Sequence, residues 1–426
     1  MRHATKRHPH PPRNRARRAG AAGSPVRRLA VPALAGLAAA AALVAAGPGA
    51  ILAASPAGAA THGTAASSCT VHWTGRGDGQ LWTDARNWST GKVPGPSDNV
   101  CIAGLNTNVL TQVSITVHSL RLNGDGFIDL SGTAASPITA TATSGIMPRS
   151  ATLTGGIEMS NATIKAAQII SHRGTIFTGG TSDIVSPDIV MADQSALEAF
   201  GGKTTVSSLS ELSNGTLTGA SVLAGDAATV VLPGDITHLS SAHVTVLTGS
   251  AIDDPAGHPV LSGLTSVDAR SSLEDHNTLT LTSPSLTASG DVIFGPGTLA
   301  IAGPYTQAGH TLLVGLQSTV RATSVTIDHG AGFNNIGTGT VAGDLVNDGK
   351  TGILQNSTTH VTGNDTQAPG ATLFTGFGNL LTVTGTATLA GSVSASETFT
   401  KTGDTTQLIT FGSLAGGFTR QAGQPV

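Results

Sequence analysis

The chain has 426 residues, of which 39% are apolar, 11% charged and 3% aromatic, with a formal net charge of −3. Nine of the 22 basic residues fall within the first 28 positions with no acid among them, so the remainder carries 13 basic and 25 acidic residues, a net of −12. That acidic, cation-poor remainder excludes an electrostatic footprint for nucleic acid or anionic lipid. It also leaves solubility to Thr, Ser, Asn and backbone groups.

In chain order, the first element is a leader. The basic stretch from Arg2 to Arg28 is followed by an alanine-rich apolar run at 29–46 and by Ala57-Gly58-Ala59, a small-x-small cleavage signal. Residues 1–59 therefore read as a secretory signal peptide. The apolar run is long enough to span a bilayer. It is mostly alanine, contains Pro32 and ends at the cleavage-like site, which favours removal over anchoring. Arg27-Arg28 suits twin-arginine export as well as the general route. Residues 60–68 read as a flexible linker. The expected location is secreted or cell-surface, with no membrane association after cleavage.

A compact aromatic module follows at 69–104. It holds all three tryptophans, Trp73, Trp82 and Trp88, between the only two cysteines, Cys69 and Cys101. In an oxidising compartment such a pair becomes a disulfide, contributing about 3 kcal/mol by loop entropy. No Cys-x-x-Cys or His-x-x-x-His spacing accompanies the pair, so no metal is expected. The residues before Cys69, Ala66-Ser67-Ser68, lack the apolar residue of a lipid-attachment signal.

From residue 105 to 426 the texture is uniform. Val113, Ile115 and Val117 alternate, as do Val244 and Val246, and Leu279 and Leu281, with Gly, Asn and Asp punctuating short runs. Period-two alternation between frequent turns predicts strand after strand. The best helical candidate, 195–200, is barely one turn. Two all-β architectures compete, a sandwich or a solenoid. Some 300 even residues with scarcely any aromatics are too many for one sandwich. Solenoid coils instead stack Val, Leu, Ile and Ala and turn corners at Gly and Asn. At about 20 to 25 residues per coil, roughly a dozen coils are expected. A terminal coil exposes an apolar cross-section and strand edges, and three indoles can cover it. The tryptophans thus read as a buried cap, with sugar stacking as the alternative if the rings are exposed.

The residues also carry a resemblance. Trp73-Thr74-Gly75, Asp78-Gly79, Trp82, Asn87-Trp88, Gly91, Pro94 and Asp98-Asn99-Val100 resemble the N-terminal cap of secreted bacterial β-strand-repeat proteins. Those are similar to the right-handed parallel β-helix passengers of autotransporters and surface adhesins. Leu299 to Gln307, Val341 to Gly349 and Leu381 to Gly391 resemble recurrent coils of the same proteins. The resemblance implies a right-handed parallel β-helix at the cell surface and transfers no catalytic residues. No translocator barrel follows. The ending Arg420-Gln421-Ala422-Gly423-Gln424-Pro425-Val426 comes where members continue, which reads as a C-terminally truncated body or a minimal closing cap.

Parallel β-helices also carry polysaccharide lyases and hydrolases, which need carboxylates converging on one face. The candidates are Asp253 and Asp254 with His258, Asp268 with Arg270, and Glu274 and Asp275 with His276. Solvated loop carboxylates are the competing account. Asn123-Gly124-Asp125-Gly126-Phe127-Ile128-Asp129 lacks the distal Glu of a calcium loop and reads as a turn. Arg76-Gly77-Asp78 spells an integrin tripeptide by coincidence within a Gly-rich turn. Thr139–Thr143 and Thr278–Thr282 invite comparison with ice-binding threonine ladders, but threonine is simply a good strand-surface residue. The ten histidines from His72 to His360 form no ligand pair, and no cofactor motif appears. The reading is a non-catalytic structural or adhesive surface protein that contacts glycans or other surface components through an extended polar face. A polysaccharide lyase or hydrolase is the alternative.

Overall fold

The computed structural model describes residues 68–419, apart from 105–106, 125, 150–154, 377 and 396–406. The leader at 1–59, almost all of the linker and the closing residues 420–426 lie outside the described residues.

The body is a parallel β-solenoid of about 14 turns. One coil shows the plan: Asp291–Phe294, Gly297–Ile301 and Tyr305–Gln307 are three short strands separated by corners. Each pairs in parallel with its counterpart one coil earlier and one coil later. The stacked strands form three sheets, here sheets I, II and III in the order met along a coil. Sheet I runs from Asn108–Thr111 to Ser392–Ala395. Its central inward column passes without a break from Val109 through Ile128, Ile157, Ile176, Leu197, Val222, Val244, Leu273, Val292 and Leu312. Because side chains alternate across a strand, the apolar residues of the sequence pattern fall into one lumen and the polar ones face outward.

The coils are less even than the sequence suggests. Leu273, Val292 and Leu312 stack at separations of 19 and 20 residues, whereas Ile128 and Ile157, and again Val244 and Leu273, stand 29 apart. The long coils absorb excursions, marked by antiparallel bridges at Thr133–Ser136 and Asp253–Pro259. A separate hairpin pairs Leu212–Ser213 with Thr216–Thr218. The later coils are short, which is why the turns outnumber the expected dozen. Residues 195–200 contain no helical turn and open the strand Ala196–Val206. Corners impose their own demand. Gly202 has φ +71°, and a Cβ there would stand 2.1 Å from the Gly180 carbonyl oxygen, so only glycine fits.

The tryptophan module closes the first coil. Val71–His72 pairs in parallel with Val100–Cys101, and Asn99–Ala103 in turn pairs with Ser119–Asn123, so the module feeds directly into sheet III. Trp82 and Trp88 are 1% and 2% exposed, and Trp73 packs partly buried on the same core. Trp88 meets Trp73 and Trp82 edge-on, at centroid distances of 4.9 and 4.7 Å, and donates Nε1–H to the Trp82 carbonyl at 2.8 Å. Cys69 and Cys101 form the expected disulfide. The buried amide of Asn87 organises the preceding loop. Its Oδ1 accepts from the Gly77 and Gly79 amides, and its Nδ2 donates to Asp78 Oδ1 and the Leu81 carbonyl. The indoles are therefore a seal rather than a sugar platform.

The lumen changes character along the chain. Before residue 270 it is dominated by Ile, Leu, Val, Met and Ala. In the later coils Tyr305, Gln307, Asn335, Asn347, Thr351, Asp365 and Gln367 are all at most 1% exposed. They are largely paired with one another. Tyr305 Oη donates to Gln307 Oε1, Asn347 Nδ2 donates to Gln367 Oε1 at 2.7 Å, and Gln367 Nε2 reaches both Asp365 oxygens at 2.9 and 3.1 Å. Burial pushes the Asp365 carboxyl up to about 6, against the lowering effect of the Gln367 hydrogen bond. Thr351 occupies a rung otherwise held by Phe333 and Leu373, and its hydroxyl has no partner.

Candidate functional site

The five acids singled out above fall on three different faces. Asp253 ends the sheet II strand Ala251–Asp253, Asp268 follows the sheet III strand Ser266–Val267, and Glu274 and Asp275 lie in the sheet I strand Ser272–Asp275. They cannot meet in one groove. Asp254 is used locally: its Oδ1 accepts from the Ala256 and His258 amides at 2.8 Å each, and its Oδ2 faces His258 Nδ1 at 3.1 Å. The His258 amide bond, ahead of the other contacts, holds the Asp254 carboxyl below its usual value. Asp253 is raised, by burial first and by Asp254 second. Glu274 and Asp275 are neighbours in a strand and so point to opposite sides. Glu274 faces out against His276 Nε2 at 2.9 Å, while Asp275 turns inward, accepts from the Asn277 amide at 2.8 Å and is raised by burial.

Asp268 belongs to a more ordered set. His238 Nε2 lies 3.0 Å from Asp268 Oδ2, and His238 Nδ1 lies 2.6 Å from Ser266 Oγ, which sits directly above it in the next coil. A nucleophile of this kind needs hydrogen-bond donors for the developing oxyanion. Here the backbone amides beside it are committed: Ser266 to Thr237, Thr287 to Thr265 and Asp268 to Leu239. The set orders an exposed patch and has no visible means of stabilising a tetrahedral intermediate. Arg270 is exposed, and among the described residues no ion pair joins it to this set.

Other expectations resolve locally. The Asp78 carboxylate of Arg76-Gly77-Asp78 accepts from the Gln80 and Leu81 amides and from Asn87, so the tripeptide is a structural turn. The Gln80 amide bond leads the causes that hold Asp78 below its usual value. Sulfurs of Cys69 and Cys101 lie within 4.8 Å of a His72 ring nitrogen, but both are joined in the disulfide and offer no thiolate. Several histidines pair with carboxylates rather than with each other, including His172 with Asp193 and His310 with Asp291. A groove of about 550 Å³ crosses the corner after sheet II, lined by small residues with Lys165 as its one ionisable side chain.

Stacking creates three outward features, of which the sequence pointed only to the threonine run at 278–282. On sheet I, Asp129 lies on Glu158, Glu158 on Phe177 and Phe177 on Glu198, all projecting to the same side. Burial raises the carboxyls of both Asp129 and Glu198. On sheet II, Thr278, Thr298, Thr319 and Thr340 stack in register and continue through His360 to Thr382 and Thr410. On sheet III, Thr287, Thr306 and Thr326 do the same. Threonine alternation in single strands was the only available signal for the ladders. For the acid and phenylalanine column there was none, because its members sit 19 to 29 residues apart. Comparison of the chain with protein-family models, with curated proteins and with solved structures finds no match.

Proposed function

We propose that this is a secreted or cell-surface β-solenoid, similar in role to an autotransporter passenger or adhesin, that acts as a non-catalytic structural or adhesive element. One observation carries the reading: outward threonines stack in register over many coils of sheets II and III. Each coil adds a hydroxyl and a methyl at the strand spacing of about 4.8 Å. A regular polar surface of this kind binds through many weak contacts rather than one deep pocket. The disulfide and the basic-then-apolar leader pattern support an extracellular setting.

The alternative, a polysaccharide lyase or glycoside hydrolase, is favoured by one arrangement. Asp129 and Glu158 occupy adjacent rungs of sheet I, and burial raises Asp129, as a general acid requires. A glycan-array measurement run beside a polysaccharide-cleavage screen decides between them. Binding without cleavage is the expected outcome. Turnover abolished by Asp129→Asn or Glu158→Gln would replace the adhesive reading with the hydrolytic one.

A further inference from the structure

We propose that the outer face of sheet I, over its first five coils, is a binding strip for a neutral polysaccharide chain lying along the solenoid axis. It takes from the proposed function only that the protein meets extracellular glycans, and it concerns a different face from the threonine ladders.

The chemistry of the strip is that of sugar recognition. Phe127 and Phe177 lie two coils apart, yet their rings approach to 6.0 Å at an interplanar angle of 37°. The intervening rung at Phe127's register is Gly156, which has no side chain to separate them. The result is a half-buried apolar platform, suited to the C–H face of a pyranose ring. Asp129 and Glu158 flank it on one side and Glu198 on the other. Ionised carboxylates only accept hydrogen bonds, and sugar hydroxyls supply the donors. Successive rungs stand about 4.8 Å apart, close to the length of one pyranose unit, so consecutive sugars meet consecutive coils.

The strip also has a defined end. A cavity of about 240 Å³ opens between the tryptophan module and the first coil, lined by Gly79, Gln80, Asn108, Leu110 and Asp129. The overhanging loop is fixed in place: Leu110 donates its amide to the Gln80 carbonyl at 2.8 Å, and Trp82 donates to the Leu110 carbonyl at 2.9 Å. The cavity has room for a single terminal sugar, with two amide side chains that both donate and accept. The strand segments 108–111, 127–131, 156–160, 175–179 and 196–200 contain no Lys, Arg or His. A polyanion would be repelled there, which sets the preference for a neutral chain.

The test is calorimetric titration of the whole protein with cellohexaose, chitohexaose and hexagalacturonate in the presence of EDTA. One or both neutral hexaoses bind and the acidic one does not. Phe177→Ala weakens that binding about tenfold, equivalent to about 1.4 kcal/mol. Phe177→Leu keeps the apolar volume and loses the aromatic face, so it weakens binding with the fold intact. Glu158→Gln weakens it severalfold, and Arg270→Ala, at an exposed position away from the strip, leaves it unchanged. Failure of both neutral hexaoses to bind, preference for hexagalacturonate, or loss of binding in Thr340→Val with none in Phe177→Leu would each overturn the strip. The last outcome would leave the adhesive reading standing on the threonine face.

Discussion

The first and last coils of this solenoid share one plan and differ in what fills it. Around residues 109–252 each rung drops an aliphatic side chain into the lumen, as Ile128, Ile157, Ile176 and Leu197 do. Around residues 305–367 the sheet III column that begins with Leu217, Leu239 and Val267 takes in Gln307, Asn347 and Gln367, tied with Tyr305 and Asp365 into side-chain hydrogen bonds. Hydrophobic stacking is non-directional and tolerates small shifts in register. A buried amide network does not, since each unpaired group costs its full desolvation. Solenoid stability is close to a sum over neighbouring coils, so the two regions should respond differently to solvent conditions. Among the described residues the aliphatic lumen carries no titrating group of its own, whereas the polar lumen holds the buried Asp365 carboxyl.

The sharpest break in that comparison is at the sealed end. Trp82→Ala should cost about 3–5 kcal/mol, read as a lowered denaturant midpoint, with exchange protection lost first in coils 100–130. Loss confined to the last coils would mean that the seal does not hold the first. Next is Asp365, whose carboxyl is raised by burial to about 6 from an ordinary 3.8. Between those values the folded protein holds a proton that the unfolded chain has released, so stability falls as pH rises from about 4 to about 6. The fall is on the order of 3 kcal/mol and is complete above the folded value. Asp365→Asn keeps an acceptor for Gln367 and should remove the Asp365 share of that fall, matching the parent at pH 4 and exceeding it at pH 8. An unchanged profile would show that the carboxyl is hydrated.

Smaller effects refine the contrast. Thr351→Val removes an unpartnered hydroxyl from an apolar column and should raise stability by about 1–2 kcal/mol, read from equilibrium unfolding. A loss instead would reveal a partner for that hydroxyl. The outward Thr382→Val should change stability by about 0.5 kcal/mol or less, which sets an outward threonine on sheet II against the inward Thr351 on sheet I.

Much of the fold was legible in the sequence because period-two alternation is a local property. It marked Val244, Val246, Leu279 and Leu281 as inward, and all four are at most 4% exposed. The clustering of the tryptophans between two cysteines gave the seal. The polar lumen was hidden: Gln307, Asn347 and Gln367 sit at alternating positions where an apolar residue was expected, and partners brought by the fold satisfy them, Gly290 on the preceding coil for Gln307 and the stacked amides of Asn347 and Gln367 for each other. The candidate catalytic acids misled for a related reason. Proximity in sequence placed Glu274 beside Asp275, yet the pleat sends them to opposite sides.

The sequence by itself determined that this chain makes short strands, which side of each faces the lumen, and that indoles and a disulfide close its beginning. Those choices depend on neighbours within a few residues. Tertiary structure alone decided which residues stand above one another. Coil lengths range from 18 to 29 residues, so register accumulates through corners and excursions that no fixed repeat encodes. Asp129, Glu158, Phe177 and Glu198 become neighbours only once those corners are folded, because the hydrogen-bond ladder between coils sets their alignment.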